Sequence, residues 1–376
     1  MGAQISSQII DNMAIDIKSY KENNLKRKDY LSYKNMPHEF RPFVMFVNSP
    51  NYKSSHVNTD RLGFRKTYSN QGKTIETSDL KKEKICNILM GGSTAFGMGA
   101  SSDTNTISSC LSKDGIYCHN FGVRAATSQQ EFLIFQNFKK FLPKVKNVFI
   151  LTGVNDLALA AEENSFFYPE FGGVYSEDMR FNQFWSQYIS FKSSRWIMGK
   201  NKFFFIIEHL INKFKIFKLL FSLLSYLLPT SKNYKKTKKF VNLSFEEKIL
   251  NLRNIIANDI NSWKAFSEKY KFKIIYILQP GICWSNKDLS EKEKFILENQ
   301  RAVLGSNYYD KFMRKEAYNN HKIFLEGECK KNEIEFIDAN NIFNNFPKND
   351  ELFLDLCHLT DKGNEYLAKY LKKYND

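Results

Sequence analysis

Between residue 84 and about residue 160 the chain alternates short apolar runs with longer stretches of helical character, and this alternation limits its folds more than any other feature. The runs Ile85–Met90, 116–121 and 147–152 are five or six residues long, which suits a buried strand and is too short for a core helix. Helical stretches at about 104–113 and 127–142 separate them. The pattern resumes later, with a helix at about 244–270, the run Lys273–Leu278 closed by Pro280, and Glu333–Asp338. Helix-like charged segments fill 289–332, and a last helix covers Asp361 to Tyr374. Strands that alternate with helices read as βα units around one parallel sheet, so the expected class is α/β with about five parallel strands. In such sheets, sites collect at the carboxyl ends of the strands.

Chemistry-bearing residues stand at those ends. The first run leads into Gly91-Gly92-Ser93-Thr94, a glycine turn that exposes a serine hydroxyl. Asn120-Phe121-Gly122 follows the second run and Gly153-Val154-Asn155-Asp156 the third. A glycine N–H and an asparagine amide are the donors that an oxyanion hole needs. Near the C-terminus, Asp355-Leu356-Cys357-His358-Leu359-Thr360 sets an acid three residues before an imidazole. The carboxylate can orient the ring and leave its other nitrogen free as a general base. Asp338, at the end of the fifth run, is an alternative acid.

These blocks, in this order, resemble the SGNH (GDSL-like) hydrolase family. The resemblance covers roughly residues 84–160 and 272–374, with Gly-Gly-Ser in place of the family's Gly-Asp-Ser. It implies a flavodoxin-like three-layer α/β/α sandwich and acyl transfer through a covalent ester. Ser93 would be the nucleophile, His358 the base and Asp355 the acid. Ser93, Gly122 and Asn155 would supply the oxyanion hole. The segment Asn58 to Gly63-Phe64-Arg65 and the tripeptide Leu278-Gln279-Pro280 also resemble a bacterial branch of that family found near surface-polysaccharide genes. From it come an expected O-acetyl glycan substrate, Arg65 as a residue shaping the site rim, and Gln279 as either lining the site or capping a strand end. With Thr94, beside Ser93, these are the candidate substrate contacts. A lipid esterase, an O-acyltransferase using the same triad, and a non-catalytic glycan-binding or assembly protein are the alternatives.

The remaining expectations concern organisation. Residues 1–83 read as an arm and linker lying on a hydrolase domain of residues 84–376. A helical, aromatic-rich insertion interrupts that domain at about 160–245. Within it, the apolar run Phe203–Leu228 carries Glu208, Lys213, Lys215 and Lys218, whose central charges disfavour insertion into a bilayer. With the Lys-rich 231–239 it reads as a lid, or as a helix lying on an anionic membrane surface. His209 there reads as a helix-face residue. Lys and Arg number 55 against 40 Asp and Glu, a net charge of +15. That excess suits anionic partners and equally an ordinary lysine-rich surface. No nucleic-acid motif accompanies it. The six cysteines show no metal-like spacing, so no cofactor is expected. The N-terminus lacks a basic region followed by an apolar core, hence no signal peptide and a cytoplasmic location are expected, with Gly2 and Ser6 fitting a loose myristoylation pattern.

Overall fold

The computed structural model describes residues 36–41, 44–69, 72–77, 85–113, 117–139, 142–161, 243–304 and 306–375. The expected insertion, its membrane-facing run, His209 and the Gly2 pattern lie outside them.

Five parallel strands form the central sheet: β5 (Ile85–Gly91), β6 (Cys118–Gly122), β7 (Lys144–Thr152), β8 (Lys273–Leu278) and β9 (Glu335–Asp338). Their spatial order is β6-β5-β7-β8-β9. The first strand in sequence therefore sits second, and the chain reverses direction across the sheet between β5 and β7. Loops diverge at such a switch point and open a crevice above the strand ends. Both faces of the sheet are covered, which explains why the strands are apolar throughout instead of alternating. Ile88, Leu89, Phe121, Phe149, Leu151, Ile275 and Ile277 are all fully buried.

One covering layer packs α3 (Ser128–Phe138), α4 (Val154–Ala161), α5 (Phe245–Tyr270) and α8 (Lys315–Lys331) around one another. On the second face, α2 (Ile107–Ser112) pairs with α10 (Asp361–Leu371). The result is a three-layer α/β/α sandwich. Local signals start several of these helices. Thr127 caps α3 and forms a capping box with Gln130, while Thr360 caps α10 through the Gly363 N–H. Among the described residues no helix is long and apolar enough to cross a membrane.

The described part of residues 36–77 packs on the sandwich. Strands β1 (His38–Arg41) and β2 (Met45–Asn48) form a hairpin, and β3 (Thr67–Tyr68) pairs with β4 (Thr74–Ile75). Asn48, at the end of β2, sends its amide to the Gly122 carbonyl at 3.0 Å and accepts the Arg124 N–H at 3.2 Å. A side chain from the first 50 residues thereby fixes the turn that follows β6.

Candidate active site

The nucleophile turn is built by close backbone approach. Gly91 ends β5 at φ 148, and a β-carbon on it would lie 2.2 Å from the Leu151 carbonyl of the neighbouring strand. Only glycine fits there. The chain then turns into a single helical turn, α1 (Ser93–Phe96), with Ser93 at its first position. Ser93 stays partly exposed, while Thr94, Ala95 and Phe96 are buried.

From the other end of the chain, residues 352–360 fold back as a narrow loop. Leu354 donates to the His358 carbonyl, and Phe353 bridges Leu359. The Asp355 carboxylate organises the tip of that loop. Its Oδ1 accepts the N–H groups of Cys357 at 3.0 Å and His358 at 2.8 Å, and its Oδ2 lies 2.5 Å from His358 Nδ1. On the far side of the ring, Nε2 lies 2.7 Å from Ser93 Oγ. Burial raises the Asp355 carboxyl, but the His358 imidazole and the two N–H donors outweigh it, and the carboxyl falls to about 2. It is a carboxylate at any pH where the base could act. Asp338, the alternative acid, points elsewhere: it accepts from Tyr318, Lys322 and Asn340 at the end of β9. Asp355, Cys357 and His358 are also the one set of metal-type ligand atoms that converges among the described residues. Both imidazole nitrogens in that set are already engaged by Asp355 and Ser93.

The expected oxyanion donors require one correction. Gly122 N–H donates to its own strand's Asn120 Oδ1 at 2.9 Å, so it is not free for a substrate. Gly122 is small for another reason, since a β-carbon there would lie 2.2 Å from the Phe96 nitrogen. It lets α1 sit directly on the end of β6. The free donor of this turn is three residues on. Val123 donates to Gly91, Arg124 to Asn48, Ala126 to Val123, Thr127 to Gln130 and Ser128 to Asp156. Among the described residues, that leaves the Ala125 N–H without a partner. Ala125 has φ 61, a left-handed conformation uncommon for a residue with a β-carbon. The positive φ has no sequence signature in Arg-Ala-Ala, which is why the sequence pointed to the glycine three residues earlier instead.

Asn155 lies in the first turn of α4, where its Nδ2 donates one hydrogen to the Ala126 carbonyl at 2.7 Å. The second hydrogen remains. A β-carbon at Gly92 would come within 2.4 Å of that same nitrogen, so the amide stands directly against the nucleophile turn. Gly92 has an ordinary φ of −79, so a side chain here would meet the Asn155 amide without straining the backbone. Gly92→Ala is expected to push the amide aside and lower turnover roughly a hundredfold, the scale of a 1 Å misplacement. Its melting temperature should change little. Wild-type kcat in the alanine variant would defeat this account.

The three candidate substrate contacts are internal. The Arg65 side chain is fully buried, with Nε 2.7 Å from Asp103 and Nη1 donating to the Gly97 carbonyl at 2.6 Å. It braces the end of α1 from below instead of forming a rim. Thr94 and Gln279 are 1% and 3% exposed and bond to each other, so neither faces solvent. Thr94 looked like a substrate contact because it follows Ser93 in sequence, whereas Arg65 and Gln279 came from the branch resemblance, which carries no information about burial.

Beneath Asn155 lies a group of buried acids that the sequence reading passed over. Ser128 Oγ lies 3.1 Å from Asp156 Oδ1 and 3.2 Å from Asp259 Oδ2, tying α3, α4 and α5 together. Burial lifts Asp156 to about 6 against the pull of the Ser128 donors. Burial and the nearby Asp156 charge lift Asp259 to about 7. Glu131 beside them is held well above the carboxylate range by burial, then by Asp156. A raised folded-state pKa means the folded chain keeps protons that the unfolded chain has lost. Its stabilising contribution is complete below about 4 and is lost as pH rises through about 6 to 7. The melting temperature should therefore fall between pH 5 and 8 at constant ionic strength, and less steeply in Asp259→Asn. Equal slopes in the two proteins would exclude this origin.

With the geometry in view, comparison with known proteins adds the following. No protein-family model matches this chain, and no curated protein does. Solved structures do. A member of the lipolytic protein G-D-S-L family from Veillonella parvula is similar at 10% identity and TM-score 0.37, covering 77% of this chain and 97% of that one. An acetyl xylan esterase, AlAXEase, is similar at 12% identity and TM-score 0.36, covering 77% and 98%. An extracellular lipase from Streptomyces rimosus is similar at 10% and TM-score 0.36, covering 78% and 100%.

Proposed function

We propose that this chain is a serine hydrolase of SGNH type, acting on the ester bond of an O-acyl group. The observation that carries the reading is the unbroken contact from Asp355 through His358 to a partly exposed Ser93, at 2.5 and 2.7 Å. Nothing in the packing of the core calls for an imidazole held by a carboxylate and aimed at a partly exposed serine on a glycine turn. His358 takes the Ser93 proton as Oγ attacks the carbonyl carbon, and Asp355 stabilises the imidazolium that forms. The developing oxyanion receives N–H groups from Ser93, Ala125 and the Asn155 amide. The imidazolium then returns its proton to the leaving alcohol, and water or a second hydroxyl resolves the acyl-enzyme.

The substrate we favour is an acetyl ester on a glycan or glycan precursor. Its support is the resemblance of Asn58–Arg65 and Leu278-Gln279-Pro280 to polysaccharide-associated relatives. A lipid ester is the second reading, favoured by the apolar run Phe203–Leu228, which would also suit peripheral contact with an anionic membrane. A small fluorophosphonate, followed by mass spectrometry, tests the chemistry. One adduct on Ser93 is expected in the wild type and none in His358→Ala; a folded wild type that stays unlabelled refutes the reading. Acetate release from acetylated xylan against fatty-acid release from a triglyceride then separates the two substrate classes.

A further inference from the structure

The elements that carry the nucleophile, the base and the oxyanion amide come from three distant parts of the sequence, and one buried side chain links all three, two directly and the third through a neighbouring hydroxyl. Gln279 stands just past β8, where its own N–H donates to the Thr152 carbonyl at 2.9 Å and its carbonyl accepts from Asn340 at 3.3 Å. The backbone is thus held from β7 and from the helical turn that follows β9, and the side chain projects from a fixed point. Its Oε1 accepts the Val154 N–H at 3.5 Å, at the start of α4 and next to Asn155. Its Nε2 donates to Thr94 Oγ1 at 3.2 Å, next to Ser93. Thr94 Oγ1 in turn donates to the Cys357 carbonyl at 3.2 Å, next to His358. The direction of each bond follows from the partners. A backbone N–H can only donate, which orients the amide, and a hydroxyl receiving the amide N–H turns its own hydrogen to the carbonyl. A fourth contact runs in parallel, from Ile282 N–H to the Leu356 carbonyl at 2.8 Å.

We propose that Gln279, acting through the Thr94 hydroxyl, is a positioning residue that sets the mutual placement of Ser93, His358 and Asn155. The proposal rests on the hydrolase reading above. A planar amide offers a donor and an acceptor at fixed separation, so it can clamp two loops that an apolar residue would only space apart. Because Gln279 and Thr94 are buried, they touch no substrate and do not contribute to ground-state binding. Their loss should appear in kcat and leave KM in place. Because they act as one chain of hydrogen bonds, their effects should not add.

The test compares wild type with Gln279→Leu, Thr94→Val, Thr94→Ser and the Gln279→Leu/Thr94→Val double variant. Each is assayed for kcat and KM on p-nitrophenyl acetate and for the rate of fluorophosphonate labelling of Ser93, with melting curves to establish folding. Gln279→Leu and Thr94→Val should each lower kcat and labelling by roughly tenfold to a hundredfold at unchanged KM. The double variant should fall no further than the worse single, and Thr94→Ser, which keeps the hydroxyl, should stay within about twofold of wild type. Additive losses, a rise in KM without loss of kcat, or a Thr94→Ser as impaired as Thr94→Val would overturn the proposal. Should Gln279→Leu not fold, the Thr94→Val and Thr94→Ser pair decides it. Failure of the hydrolase reading looks different: the wild type itself would then take no label.

Discussion

Ser93→Ala and His358→Ala should each abolish turnover, lowering kcat by about 10⁴- to 10⁶-fold, and the double variant should lose no more than either single. Nucleophile and base act as one unit: without the imidazole the hydroxyl is a poor nucleophile, and without the hydroxyl the imidazole has nothing to deprotonate. The residual rate would reflect the oxyanion donors and substrate binding alone. Asp355→Asn should cost nearly as much. The amide would keep the loop contacts to Cys357 and His358 only in part, and it would present a donor to Nδ1 where the ring needs an acceptor. Steady-state kinetics on a chromogenic acetate ester checks all three, with melting curves beside them. A Ser93→Ala protein that still turned over at a tenth of the wild-type rate would remove Ser93 from the chemistry.

The second large effect is at Asn155. Asn155→Ala removes a side-chain donor aimed at developing charge, worth about 2.7–4 kcal/mol of barrier, or a hundredfold to a thousandfold in kcat. It also frees the Ala126 carbonyl that Asn155 now holds. KM should barely move, since the ground-state carbonyl sits short of the donors. Asn155→Asp is the sharper probe. It keeps the shape and replaces a donor with a carboxylate where an anion must form, so it should be slower than alanine. If Asn155→Asp outpaced Asn155→Ala, the amide would not be an oxyanion donor.

The sheet was legible because a parallel sheet buried on both faces writes its strands as continuous apolar runs. Ile85–Gly91, Cys118–Gly122, Lys144–Thr152, Lys273–Leu278 and Glu335–Asp338 all fall within two or three residues of the positions their composition suggests. The contact between Asp355 and His358 was legible for a related reason, because three residues of spacing inside one tight loop fix their relation locally. What depended on distant contact was not. Arg65 looks like a surface cation until Asp103 and the Gly97 carbonyl are seen around it. Gly122 reads as a donor because glycine suggests an open backbone, and only the fold shows Asn120 occupying its N–H. Ala125 gives no hint at all, since its left-handed backbone is imposed by Asn48 from β2 and by the turn around it.

The separation of Ser93 from His358 bears on when the chain becomes reactive. They lie 265 residues apart. Translation runs from the N-terminus, so the serine and its turn emerge long before the histidine that would activate it under the proposed mechanism. Under the proposed mechanism, Ser93 would be an ordinary hydroxyl until the loop that carries His358 docks. A chain interrupted before residue 358 would hold the serine turn without the imidazole that the mechanism needs.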